Sequence, residues 1–221
     1  MQAMVFVVTS AYGLTATLAD DLMDAAPLLR NVNSANPGLE TIMPLFVNTG
    51  VWHGDIPNKH TVSFRVFRSG STTHLYSSAA RSVTPPRPCT NPVDSDNDSY
   101  DLKHKFVSIP GSTWLHLVEG HSVSCVDNSN GNFVTKEGTL VFVYSANLAA
   151  ANGAVWTKTY NNRWLDAFQG VDTDGNGTLD KLMLLMAYQN TKGGYNEQVV
   201  VLNPTTGATI SSASYEVERY N

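Results

Sequence analysis

The sequence predicts a mainly β fold, an antiparallel β-sandwich or a set of propeller-like sheets, with a short helix near the N-terminus and an acidic loop near residue 175. Three features carry that expectation. Apolar runs of strand length, rich in β-branched and aromatic residues, recur along the 221 residues. Clusters of Gly, Pro, Asn and Asp separate them at short intervals, as turns between antiparallel strands require. In the clearest run, residues 60–69 (HTVSFRVFRS), Val62, Phe64 and Val66 fall on one face and Ser63, Arg65 and Phe67 on the other, the period of a half-buried strand.

Residues 1–19 carry no charged side chain and end in small residues just before Asp20 and Asp21. They read either as a signal peptide without its basic leader or as a retained N-terminal strand built on the β-branched stretch 5–9. Residues 20–32 (DDLMDAAPLLRNV) place acids first, Leu22, Leu28 and Leu29 at near-helical spacing and Arg30 last, the order of a short helix interrupted at Pro27. Strands are then expected at 60–69, 75–80, 103–109, 113–118, 140–145, 155–160, 199–202 and 215–220. Residues 83–101, proline-rich and then Asp-rich, read as a long loop. The chain therefore divides into residues 1–19, an N-terminal β-containing region 20–82, the loop 83–101 and a β-rich region 102–221. No clean repeat at the period of a full propeller runs through it.

Charged residues make up 15% of the chain, below the roughly 25% of an average soluble domain, and Ser, Thr, Asn and Gly fill the difference. That uncharged, hydrogen-bonding surface points to a secreted or cell-surface protein. The net charge is −5 and the basic residues are scattered, which argues against a nucleic-acid partner. No apolar run reaches the roughly 18–20 residues of a membrane-spanning helix. The two cysteines, Cys89 and Cys125, lie in turn-rich stretches without metal or redox spacing, so a disulfide is expected, with two free thiols as the alternative. Closing that loop stabilises the fold by roughly 3–4 kcal/mol in the chain-entropy picture.

Seven of the thirteen Asp residues fall within 94–101 and 172–180. In the second stretch, DTDGNGTLD, oxygen-bearing side chains occupy offsets 1, 3, 5 and 9, and Gly177 stands at offset 6. Calcium prefers six to eight oxygens, and alternate residues of a tight turn point inward while a glycine permits the reversal. Asp172, Asp174, Asn176 and Asp180 are the expected side-chain ligands and Thr178 the expected carbonyl donor. Without a cation the carboxylates repel one another, so binding relieves a penalty as well as making bonds. Offset 12, where an EF-hand carries a bidentate Glu, is Met183, which disfavours a helix–loop–helix sensor.

A ligand set that ends at offset 9 and runs on into KLMLLMAY, with VVVLNPTTGATISS following, resembles the calcium loops of FG-GAP and VCBS-type β-propeller blades over residues 155–212. The resemblance implies a loop joining two strands of a blade and a structural calcium ion. Leu182 to Met186, however, is rich in residues that favour helix over strand.

The run DSDNDSYD is a weaker second calcium candidate, with Asp94, Asp96 and Asp98 at offsets 1, 3 and 5, Ser99 in the glycine place and Asp101 one residue early; a solvated acidic loop is the alternative. His53, His60, His74, His104, His116 and His121 form no sequence-adjacent ligand motif and are expected in structural or surface roles. Residues 120–124 (GHSVS) lack the closing glycine of a nucleophile elbow. Nothing in the sequence pairs Glu119, Glu137 or Glu197 for glycosidic chemistry. Trp52, Trp114, Trp156 and Trp164 are either sugar platforms or core. The function expected is an extracellular, calcium-stabilised binding or assembly module, an adhesin or filament subunit rather than an enzyme. Its partner would be a protein or glycan surface, or copies of itself. A carbohydrate-binding or glycoside-cleaving secreted protein is the alternative.

Overall fold

The computed structural model describes residues 28–30, 40–68, 71, 73–77, 80–129, 131–145, 154–189 and 194–216. The described residues form thirteen strands and no helix, arranged as three antiparallel sheets. The first sheet holds β1 (Leu28–Arg30), β2 (Glu40–His53), β3 (Ile56–Arg68) and β4 (His74–Ser77), with β5 (Arg81–Val83) pairing a separate stretch of β3. The second runs β6 (Pro92–Ser108), β7 (Leu115–Ser129), β8 (Asn132–Ser145) and β9 (Trp156–Asn161). The third runs β10 (Trp164–Val171), β11 (Lys181–Gln189), β12 (Tyr195–Leu202) and β13 (Thr209–Glu216). Strand order follows chain order in the last two sheets, so each is a meander of hairpins.

The second sheet is the middle layer, because both of its faces are apolar. Leu115, Leu117, Phe142 and Tyr144 pack against Ile42, Phe46, Val62, Phe64 and Val66 of the first sheet. Val107, Val118, Val141, Val143 and Trp156 pack against Leu165, Leu182, Leu184, Met186, Val200 and Leu202 of the third. Neighbouring residues on β7 and β8 thus serve opposite cores, as the two-residue period of a strand dictates. The approach of the third sheet is close: a Cβ at Gly120 would lie 2.2 Å from the Leu165 side chain, so only glycine fits there.

Cys89 and Cys125 form a disulfide with a Cα separation of 6.2 Å, both partners buried, which ties the irregular stretch 84–91 to β7. The carboxylate of Asp127 fixes the same stretch, accepting from the backbone N–H groups of Thr90 and Asn91 at 2.9 and 2.6 Å and pairing with Lys136.

Three expectations require correction. Of the helix expected at 20–32, the described part is a strand: Leu28, Leu29 and Arg30 pair with Ile42, Thr41 and Glu40, so the segment after Pro27 extends along β2. Residues 20–27, and 1–19 with them, lie outside the described residues. The loop expected at 83–101 holds a strand from Pro92 onward. Its pairing with β7 breaks register between Pro92 and Asp94 and again between Asp94 and Ser99, and such bulges let an acidic, irregular sequence enter a sheet edge. Residues 181–189, rich in Leu and Met, are a strand, with Leu182, Leu184 and Met186 buried in alternation; packing overrides helix propensity there.

Candidate functional site

The loop 172–180 joins β10 to β11. Its two ends are held by the fold: Asp180 N–H donates to the Val171 carbonyl at 2.8 Å, and Leu179 N–H to the Ser108 carbonyl of the middle sheet at 3.0 Å. Leu179 packs against the core between those sheets. Between these anchors the backbone turns through Gly175 and Gly177, at φ of 74° and 83°, a region that side chains with a Cβ rarely adopt. The turn brings Asp172, Asp174 and Asp180 together, with one carboxylate oxygen of each within 4.8 Å of the others.

The loop's own groups organise these acids. Asp172 accepts from the N–H of Gly175 at 2.7 Å, Gly177 at 2.7 Å and Asn176 at 3.2 Å. Asp174 accepts from Asn176 N–H at 3.1 Å and from its side-chain amide at 2.8 Å. Asn176 Oδ1 accepts from Thr178 N–H at 2.8 Å. Desolvation pushes the Asp172 carboxyl up, but the N–H of Gly177, Asp174, and the N–H groups of Gly175 and Asn176 together outweigh it and hold the group below its ordinary value. Hydrogen bonds from the hydroxyl and backbone N–H of Thr173 hold Asp180 down as well. Both acids are thus kept ionised, the form a hard cation needs.

The second acidic run is placed differently. Asp98 pairs with His53, and Asp101 with Lys103 on its own strand. Asp96 is exposed, and the side chain of Asp94 lies outside the description. Among the described residues no three acids of this run converge.

A second cluster, which the sequence reading missed, lies between the first sheet and the middle sheet. His60 of β3 faces Glu119 and His121, which stand two apart on β7 and therefore share one face. All three are fully buried. Glu119 Oε2 lies 3.3 Å from His121 Nε2 and 3.5 Å from His60 Nε2. Each imidazole is oriented by its other nitrogen: His60 Nδ1 is 2.8 Å from Asn48 Oδ1 on β2, and His121 Nδ1 is 2.8 Å from Tyr100 Oη on β6. His60 Nε2 and Glu119 Oε1 have no hydrogen-bond partner. Burial pushes His121 down, keeping its imidazole neutral, although Glu119 pulls the other way. Burial also pushes Glu119 up, and the facing imidazoles of His121 and His60 bring it below its ordinary value. Only the spacing of Glu119 and His121 on one strand was visible in the sequence; their partner comes from another sheet.

Three of the four tryptophans, Trp52, Trp114 and Trp156, are occupied. Trp156 is core, its indole N–H donating to the Pro204 carbonyl at 2.8 Å. Trp114 packs against the core between the first two sheets, and Trp52 carries Arg87 over its ring. Glu119 is buried and, among the described residues, is grouped with His60 and His121 and no second carboxylate. Glu137 is pushed up by burial and by Asp166, with Arg163 opposing. No helix among the described residues is long and apolar enough to cross a membrane. Comparison with family models, with curated proteins and with solved structures finds no match.

Proposed function

We propose that this chain is an extracellular binding or assembly module whose third sheet is stiffened by a calcium ion in the loop 172–180, and that it is not an enzyme. The observation that carries the reading is the convergence of the Asp172, Asp174 and Asp180 carboxylates on a turn anchored at both ends to the sheets. Asn176 Oδ1 and the Thr178 carbonyl extend the ligand set, and all of these donors are oxygens, which suits calcium. The loop connects two neighbouring strands of one antiparallel sheet, and a loop joining two strands is what the FG-GAP and VCBS resemblance implies. A disulfide fits an oxidising, extracellular setting.

Strand β13 supports the binding role. All eight of its residues are exposed, Ile210 and Tyr215 among them, and among the described residues it pairs with β12 alone. Seven of the eight carry no charge, and the stretch TISSAS lacks the Lys, Pro or inward charge that blunts a sheet edge. Such an edge accepts a strand from a protein partner or from a second copy.

Thermal melts with calcium and with chelator test the metal. The expected result is a melting temperature raised by about 5 °C at a hundredfold excess over the dissociation constant, since a ligand of the folded state alone contributes about 2.7 kcal/mol there. Asp172→Asn and Asp180→Asn abolish the shift. Identical melts with and without calcium sink the proposal.

A further inference from the structure

We infer that His60, Glu119 and His121 form a buried site for a borderline transition ion of the zinc class, which bolts the first sheet to the middle sheet. The donor set is two imidazoles and one carboxylate, chemistry that selects zinc-like ions over calcium. The site is therefore distinct in kind from the all-oxygen loop, and it lies between a different pair of sheets.

The spacing fits such an ion. Ligand atoms held at about 2.0–2.1 Å around a tetrahedral zinc are about 3.3–3.4 Å from one another. The carboxylate oxygen stands 3.3 and 3.5 Å from the two imidazole nitrogens, and the three donor atoms all lie within 4.8 Å of one another. The outer nitrogens are held as metal-bound imidazoles require, on an amide oxygen and a phenol oxygen at 2.8 Å.

The hydrogen-bond account points the same way. With His60 Nδ1–H donating to Asn48 Oδ1, His60 Nε2 faces Glu119 without a hydrogen-bond partner in a dry core. Burial makes such an unsatisfied polar atom expensive. His60 and His121 are the ion-pair partners of Glu119, and no lysine or arginine among the described residues pairs with it. A second proton on His60 satisfies Nε2 but leaves Glu119 Oε1 bare. A metal ion satisfies both: each Nε2 gives its lone pair, and Glu119 binds edge-on through Oε2 and Oε1, so three residues supply four donor atoms in a geometry distorted from the tetrahedron by the narrow bite of the carboxylate.

The cluster is closed to solvent, so the test loads it during folding. The full chain is unfolded with its disulfide intact and refolded in calcium with Zn2+, with Co2+ or with neither, then desalted. Elemental analysis is expected to return one zinc per chain. The cobalt form is expected to show the intense visible bands of a four-coordinate nitrogen and oxygen site, and the zinc form to melt at least about 5 °C above the metal-free form. Asp172→Asn retains the zinc, which separates this site from the calcium loop and leaves each free to fail alone. His60→Gln and Glu119→Gln lose it, and Asn48→Ala, which frees the His60 ring, weakens it about 10-fold or more. Less than about a fifth of an equivalent in refolded wild type overturns the inference, as does a cobalt spectrum of purely octahedral, oxygen-ligated type. Should His60→Gln or Glu119→Gln not fold, the wild-type cobalt spectrum and stoichiometry decide alone.

Discussion

The two side-chain clusters use the same carboxylate chemistry under opposite conditions. In the loop 172–180, three acids stand at the surface and their oxygens are already met by the N–H groups of the turn that carries them. Between the sheets, one acid stands fully buried on a strand whose N–H groups are spent on the ladder, and it meets only imidazoles. At the surface, water screens the charges of the acids. In the core a carboxylate left without its partners has nothing to screen it. One cluster is thus a local adjustment of one sheet, and the other decides how two sheets meet.

The largest expected effect follows from that contrast. Glu119→Ala leaves two buried imidazoles without their carboxylate and opens a void, so it is expected to destabilise by about 3–5 kcal/mol in urea denaturation, whereas Asp172→Asn without calcium is expected to fall within the small range of surface changes. Equal effects from the two substitutions would erase the distinction between the clusters. Glu119→Gln sharpens it, because it keeps the volume and removes only the charge.

Next in size is the disulfide. It closes a loop of 36 residues and ties residues 84–91 to the strand that bears the buried cluster. Replacing both cysteines with serine is expected to cost about 2–4 kcal/mol, read as a fall in the urea midpoint at unchanged slope. The calcium shift of the melting temperature is expected to survive that replacement, since the loop is anchored through Val171 and Ser108 and not through the strap. Loss of the shift in the double serine variant would show that the two regions are coupled.

What the sequence made legible follows the same division. The acidic loop 172–180 is contiguous, and nine residues held its acids, its amide and its glycines in one window. The buried cluster needs β3 laid across β7, a fact set by which apolar faces pair and not by any local pattern. Alternation exposed β3, where Val62, Phe64 and Val66 stand against polar neighbours. It failed in β11, where Leu and Met occupy both faces, so the inward set of Leu182, Leu184 and Met186 carried no contrast. It failed again in β6, because Asp and Ser on an exposed, bulged edge look like a loop. The far half of β7 escaped for a related reason. The middle layer is covered on both sides, so residues 119–122 (EGHS) lie buried and mimic no strand template.

The smallest expected effect is a pH dependence on the other face of β7. Burial pushes His116 down from its ordinary value of 6.5, and a backbone hydrogen bond at Trp114 opposes this only in part. Below pH 6.5 the unfolded chain takes up a proton there while the folded one resists, so the stabilisation from a neutral His116 is full above that value and is lost as pH falls through the lower folded one. The loop acids answer in another window: Asp180, held below its ordinary 3.8 by Thr173, keeps its contribution down to that pH and loses it only beneath. Melting temperatures of the calcium-free protein are therefore expected to decline in two separable stages. His116→Gln flattens the upper stage and Asp180→Asn the lower. A decline below pH 6.5 that is unchanged in His116→Gln would assign the upper stage to His121, which burial also pushes down.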